Sequence, residues 1–377
     1  MSKPAKPEKR VRLRFGKHGG VSGIDEPMRR DLSACALIGS TLWTASDEAT
    51  SVERLITRDG DTFEEHVSFD LVSFFDFPAG PDNEIDIEGL DVDDGYLWIV
   101  GSHGLTRKKP ARHETDAEAA LERLTVIKRD PNRFFFGRVP LVPEGHPEDG
   151  IWRPVQHPDG GSDGCREAAC IKMKNGGSAL SRAVAEDEQL APFLGVPCKE
   201  NGFDVEGLAV RGRRVYLGLR GPVLRGWALI LELRVVRGKS GRLKLEKIGP
   251  NGARFRKHFL DLDGLGIREL ARFDDDLLIL AGPTMDLDGP VALYRWPGAL
   301  EIDQPDVVPH DRLKHLLDLP VGDGVDHPEG IALLAVEDDA QRLLIVNDSP
   351  AEDRLYGDGT SIDADVFAVS HRQFKNA

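Results

Sequence analysis

Residues 201–217 read NGFDVEGLAVRGRRVYL, and residues 85–100 read IDIEGLDVDDGYLWIV. Both put a carboxylate, Glu206 in one and Glu88 in the other, at the mouth of a short apolar strand. Each continues with glycine and passes through a polar turn into a second strand that carries an aromatic residue. One such carboxylate says nothing about fold, but two in the same frame indicate a repeat. A period of tens of residues decides the architecture first, because each copy must stack on its neighbours to bury its faces.

Three further stretches align with these two. They begin at Ser33 (SACALIGSTLWTASDE), at Glu269 (ELARFDDDLLILAGPT) and at Glu329 (EGIALLAVEDDAQRLLIVNDS), the last with extra turn residues. After Ser33, Glu88 and Glu206 the aromatic residue falls ten positions on, at Trp43, Trp98 and Tyr216. Successive anchors lie 55, 118, 63 and 60 residues apart. A third β-like run follows in four copies: SVERLIT (51–57), RLTVIKR (123–129), WALILELRVV (227–236) and VALYRW (291–296). Short strands with Asp/Gly turns repeated in tandem predict an all-β chain folded as a β-propeller.

Five blades are expected, and six is the alternative, because the double-length gap holds either an insertion over about 143–200 or a further unit. Inside that gap Thr115-Asp-Ala-Glu118 has the form of a capping box opening a helix to about Leu124, and ALSRAVAEDEQLAPFL (179–194) suggests a second, so the insertion is partly helical. The run VRLRF (11–15) would supply the outer strand of the last blade beside DADVFAVS (363–370) and close the ring. Residues 1–10 are expected to form a disordered basic tail, and 11–377 one domain.

The chain has 377 residues, 40% of them hydrophobic, enough for a large core. Against 64 Asp and Glu stand 49 Lys and Arg, a net charge of -15 that argues against nonspecific attraction to nucleic acid or anionic membrane. No apolar run approaches the ~18 residues of a membrane span, and MSKPAKPEKR lacks the apolar core of a secretory signal, so a cytoplasmic protein is expected. The cysteines Cys35, Cys165, Cys170 and Cys198 have no CxxC spacing and read as free thiols. Walker A, HExxH and a strand-linked GxGxxG are absent. Gly160-Gly-Ser162-Asp-Gly164 has the letters of GxSxG without a flanking strand, and DLDGLG (261–266) and DLDGP (286–290) lack the full EF-hand ligand series, so these are read as loop and turns. His327, just before the last anchor, is read as structural although it lies within reach of the axis.

First strands line the channel of a propeller, so the anchors Ser33, Glu88, Glu206, Glu269 and Glu329 would converge on its axis. At ~6 Å and an effective dielectric of ~20, each pair of carboxylates repels by about 3 kcal/mol. Protons, wall cations or a bound divalent ion would relieve that repulsion. An all-oxygen set suits a hard ion, Ca²⁺ ahead of Mg²⁺. The alternative is architectural: each Glu accepts backbone N–H bonds from the next blade while its glycine permits a bulge.

FDVEGLAVRG, GLRGPVLRGWALILE and GSHGLTRKKP resemble the bacterial family called domain of unknown function 3616, over most of the chain. The Ser, Glu, Glu, Glu, Glu anchors are more distantly similar to five-bladed calcium-dependent apyrases, in which first-strand Ser and Glu hold an axial Ca²⁺ beside the site that hydrolyses nucleoside di- and triphosphates. Glu269 stands where that family has a second Ser, and SDEAT (46–50) resembles its acidic loop at Asp47 and Thr50 but lacks its Arg. The Glu-Gly strand mouth also resembles phytase-like esterase propellers.

Loops following the second strands would ring the channel mouth. They carry Asp47 and Glu48, His103 with Arg107, Lys108 and Lys109, Arg220 with Arg225, Thr284 with Asp286, and Asp348. Arg107, Lys108, Arg225 and Asp348 would engage an anionic, phosphorylated small molecule, with Arg220 on phosphoryl oxygens and Asp47, Glu48 or His103 activating water. The expected function is divalent-cation-dependent hydrolysis of a phosphoester or phosphoanhydride. A non-enzymatic binding propeller with a structural ion and a lactonase-like hydrolase remain open.

Overall fold

Each aligned copy folds as an antiparallel meander. The inner strands are Leu32–Ile38, Ile87–Asp93, Asp204–Arg211, Gly266–Phe273 and His327–Glu337. They pair in turn with Thr41–Ser46, Tyr96–Gly101, Arg214–Leu224, Asp276–Gly282 and Ala340–Asp348. Third strands follow at Ser51–Thr57, Phe136–Pro143, Trp227–Arg237, Val291–Trp296 and Ser361–Ser370. The computed structural model describes residues 3–16, 28–111, 115–158, 166–174, 176–239, 241–337, 339–370 and 374; Cys165 and the Gly160–Gly164 loop lie outside them.

The inner strands touch in cyclic order, and the last, His327–Glu337, returns to the first, Leu32–Ile38. Apolar clusters fill the seams between successive meanders. Trp43, Ile87, Leu97 and Phe135 occupy the first-to-second seam, and Leu32, Leu42, Leu344 and Val366 occupy the last-to-first. A strand packed on both faces reads as a continuous apolar run rather than an alternation. Accordingly TLWTAS (41–46), YLWIVG (96–101) and DLLILAG (276–282) are buried throughout.

The result is an all-β, curled, propeller-like arrangement in which outer strands also join meanders side by side. Lys9–Arg14 pairs antiparallel with Ser361–Ser370 and parallel with Thr62–Asp70, making one eight-stranded sheet of the first and last meanders. Ala169–Ile171 runs parallel to Arg242–Leu245 and merges the second and third into an eleven-stranded sheet.

Several expectations need correction. RLTVIKR is not a third strand: the helix α1 (Ala117–Thr125), capped by Asp116 rather than Thr115, runs into it, and Phe136–Pro143 takes the strand position. The helix foreseen over 179–194 is α2 (Ala179–Ala185), after which the chain turns into a short 3-10 segment at Ala191–Gly195. The region 143–200 is not wholly inserted, because Ala169–Ile171 is the outer strand of the second meander. Nor, over its described residues 3–10, is the 1–10 segment a free tail: the Ala5 amide donates to Asp318 O at 2.8 Å, and Glu8 pairs with Arg342 at 2.7 Å. Among the described residues no helix is long and apolar enough to cross a membrane.

Candidate functional site

Every inner strand is bulged near its start. The pairing register slips across Ser33, Glu88, Glu206, Arg268 and Glu329, so these five residues are the structural equivalents. In the fourth meander the equivalent is therefore Arg268, and Glu269 falls where the others have Ala34, Gly89, Gly207 and Gly330. Those glycines permit close approach of the next inner strand: a Cβ on Gly89 would lie 2.7 Å from Leu208 Cβ, and one on Gly207 2.8 Å from Leu270 Cγ.

The one-residue difference changes the chemistry of the ring. Glu269 is buried between meanders, where its Oε1 accepts from Leu270 N at 2.8 Å and from Leu208 N at 3.2 Å. Burial pushes its carboxyl well up, against the pull of those two bonds. Arg268, 8% exposed, pairs with Glu206 at 3.1 Å and with Glu329. Arg220 holds the other oxygen of Glu206 at 2.9 Å, and Ser33 donates to Ile87 O at 2.5 Å. The five anchors predicted as a cation cage do not fit one: a guanidinium stands among them, Glu269 faces away and the Ser33 hydroxyl is committed.

A cavity of about 350 Å³ opens at the strand mouths. Its lining interleaves acids, Asp47, Asp86, Glu88, Glu200, Asp204, Glu206, Asp286, Glu329 and Asp348, with the cations Arg107, Lys108, Lys109, Arg133, Lys199 and Arg220. Burial, then Asp86, Glu206, Asp204 and Asp47, push Glu88 well above the usual carboxylate range. Asp47 is likewise raised by burial and by Asp86 and Asp348, and Asp204 is pushed up to about 8 by burial and Glu206. Asp204 is 2% exposed, and its Oδ1 and that of Asp47 are buried without a hydrogen-bond partner. Asp348 moves the other way: burial opposes, but bonding to His327 and the charges of Lys199 and Arg268 hold it low. Lys199 is raised despite burial and the neighbouring Arg220, because Asp286 and Asp47 face it.

Of the sequence-predicted mouth residues, Asp47, Arg107, Lys108, Arg220 and Asp348 share this cavity, with Lys109 and Asp286, which pair with each other. Glu48, His103, Arg225 and Thr284 are not among its lining residues. His103 is buried with its Nδ1 on Gly101 O at 2.9 Å and its ring against Phe134, and burial lowers its pKa to about 4. Burial thus favours its neutral form, and it does not line the cavity at the mouth. Arg225 is exposed in the turn between Arg214–Leu224 and Trp227–Arg237.

Asp86, Asp204, Arg133 and Lys199 were missed. The aspartates stand two residues before Glu88 and Glu206 in both opening stretches, and a strand period of two puts such residues on the anchor's face. Asp86, at φ 57, is also one of the non-glycine residues in the left-handed region, and Arg133 grips it at 2.8 Å. Lys199 comes from the 143–200 region, where no repeat marks it.

Among the described residues the only three acidic, thiol or imidazole ligand atoms within 4.8 Å of one another belong to Asp261, Asp263 and His310, away from this cavity. A cation in the cavity would therefore take at most two carboxylates directly and water for the rest. The orphaned Asp47 Oδ1 and the carboxyl of Glu88 supply suitable hard oxygen. Cys198 also lines the cavity, but burial pushes its thiol well up and leaves it a poor thiolate.

Several solved structures match the chain at low similarity. The glutaminyl cyclase of Myxococcus xanthus is 11% identical, with 97% of this chain and 100% of that chain covered at a TM-score of 0.36. A putative oxidoreductase (glucose dehydrogenase) of Thermus thermophilus is 15% identical, with 90% and 98% covered and a TM-score of 0.33. The N-terminal domain of Nup159 is 8% identical at a TM-score of 0.33, and the chain, 91% of it aligned, spans 66% of that chain. No curated protein matches the sequence. The family pattern described as "Protein of unknown function (DUF3616)" matches residues 31–365, and the chain belongs to that family.

Proposed function

We propose that the chain is a five-bladed propeller that hydrolyses a phosphoester or phosphoanhydride at the acidic cavity, assisted by a hard divalent cation. The blade count rests on the five bulged inner strands and their cyclic contacts. The reaction rests on one observation: Asp47, Glu88 and Asp204, all raised by burial and by other carboxylates, line one cavity together with Lys199 and Arg220. Such a set takes up either protons or a cation, and the adjoining cations suit phosphoryl oxygens.

Asp47 and Glu88 would hold the cation, Ca²⁺ or Mg²⁺. Mg²⁺ gains ground because a water-rich site with one or two carboxylates is its usual habit. When bound, the ion would neutralise phosphoryl charge. Lys199 and Arg220 hold the phosphoryl oxygens. Asp348, kept ionised, takes the proton of the attacking water, and Asp204, protonated up to about pH 8, gives one to the departing oxygen. Water's oxygen bonds to phosphorus as the P–O bond to the leaving group breaks.

The test pairs elemental analysis of protein purified without chelator with turnover of p-nitrophenyl phosphate and pyrophosphate across added Ca²⁺ and Mg²⁺. Activity that needs the cation and falls at least ~100-fold in Lys199→Ala and Asp204→Asn supports the reading. Phosphate binding without turnover in any metal would make the chain a binding module, and unchanged turnover in both variants would exclude this chemistry.

A further inference from the structure

A second cavity of about 490 Å³ adjoins the first and shares Lys199, Arg220, Asp286, Glu329 and Asp348 with it. Its outer lining is of a different kind: Met285, Leu287 and Val321 are 46%, 65% and 36% exposed, and Pro283 and Val291 continue the surface. Single exposed apolar residues are ordinary on a protein surface, whereas these three line one cavity. The segment that carries them is anchored rather than free. Met285 bridges to Glu200 and its carbonyl accepts from Arg220, and Asp286 pairs with Lys109.

We propose that the two cavities form one bipartite cleft for an organic phosphate or phosphonate-like anion, whose charged head sits at Lys199 and Arg220 and whose apolar, aryl-sized body lies against Met285, Leu287 and Val321. This deepens the hydrolase reading by naming its substrate class. The shared cationic wall fixes where the head must go, since among the described residues Lys199 and Arg220 are the only Lys or Arg residues lining both cavities. The body is then directed into the larger compartment, which lies within the ~300–1,000 Å³ range of small-molecule sites. Its polar floor carries His327, 3.3 Å from Asp288 and 3.9 Å from Asp348, so a hydrogen-bonding edge on the body would find partners there.

Calorimetry with phenylphosphonate and methylphosphonate on the full chain tests this without requiring turnover. Phenylphosphonate is expected to bind about tenfold or more tightly than methylphosphonate, from the additional apolar surface buried. Leu287→Asp and Met285→Asp, both at exposed positions that leave the core intact, should erase that preference while methylphosphonate still binds; Lys199→Ala should weaken both ligands. Equal affinities in the wild type, or a preference that survives both rim substitutions, would overturn the bipartite cleft. Tight, rim-dependent binding of phenylphosphonate with no hydrolysis of phenyl phosphate would retain the cleft and remove the hydrolase. Binding of neither ligand would remove the anionic head site and the cleft together.

Discussion

Replacing Arg268 by alanine would separate an architectural ring from a cation cage. The guanidinium is buried, 3.1 Å from Glu206 and in contact with Glu329. At ~3 Å and an effective dielectric of ~20 each attraction is about 5 kcal/mol gross, and desolvation of three buried charges offsets most of it. The informative quantity is what removal leaves behind. Glu206 keeps Arg220 at 2.9 Å, whereas Glu329 has no other ion pair among the described residues. The Glu329 side chain is 14% exposed on a cavity wall, so leaving it unpaired costs less than the ~3–5 kcal/mol of a fully buried charge, about 2–3 kcal/mol. Urea unfolding of Arg268→Ala at neutral pH should therefore show a lower midpoint at unchanged slope. The deficit should shrink toward pH ~4, as the stranded carboxylate takes up a proton. Arg268→Glu should be worse still, with Ca²⁺ restoring part of its stability, because it puts a fourth carboxylate in the ring beside Glu88, Glu206 and Glu329. A loss below about 1 kcal/mol in Arg268→Ala, or an equal loss at neutral and acid pH, would refute the role assigned to Arg268.

Glu88→Gln should stabilise the cation-free protein by about 0.5–2 kcal/mol at pH 8, since the native carboxyl is raised by burial and by Asp86 and Glu206. A raised acid binds its proton in the folded state first, so the gain should vanish below the unfolded pKa of ~4.3; a melting curve that shifts equally at pH 4 and pH 8 would contradict this. His103 is the opposite case: with a folded pKa of about 4, its contribution is complete above ~6.5 and lost as pH falls through 4. His103→Asn, which tolerates the left-handed backbone there, should spare up to about 3 kcal/mol of acid lability in denaturation at pH 4 relative to pH 7. Gly330→Ala should lower stability by about 1–3 kcal/mol in thermal unfolding, because its Cβ would meet Val346 Cγ2 at 2.6 Å and Cys35 N at 3.0 Å where the last meander meets the first.

The meanders were legible because burial on both faces leaves a strong mark: apolar second strands with an aromatic residue in register at Trp43, Trp98 and Tyr216, all essentially inaccessible. Ring closure by the N-terminal strand was legible for the same reason, since VRLRF alternates with Val11 and Leu13 buried. What failed was register by a single residue. The fourth copy was aligned on Glu269 because carboxylate matched carboxylate, yet the pairing of Ala271 with Leu278 matches that of Ala209 with Tyr216 only if Arg268 is the anchor. A slip of one residue moves a side chain to the other face, and here it exchanged a cation at the axis for a carboxylate in a seam. RLTVIKR misled through composition alone, its β-branched residues lying where a capped helix ends. Lys199 left no trace, because no periodicity governs the segment that delivers it.

The departures from the repeat are where the mouth gains its asymmetry. Two residues before the bulge, the first three meanders carry Asp31, Asp86 and Asp204, whereas the fourth and fifth carry Gly266 and His327. Gly266 has no room for a side chain: a Cβ there would lie 2.1 Å from Arg220 O, so the fourth meander cannot extend the acidic series. It contributes Arg268 at the bulge and the apolar loop around Met285 and Leu287 instead. Carboxylates of the first three meanders, Asp47, Asp86, Glu88, Asp204 and Glu206, line the first compartment alone, the fourth and fifth meanders supply most of the wall of the other, and Asp286, Glu329 and Asp348 line both with Lys199 and Arg220. A perfectly repeated ring would have been self-repelling and chemically uniform. The broken repeat instead sets Arg268 among the carboxylates and divides the mouth into two parts, and that division would let one end of a ligand be distinguished from the other.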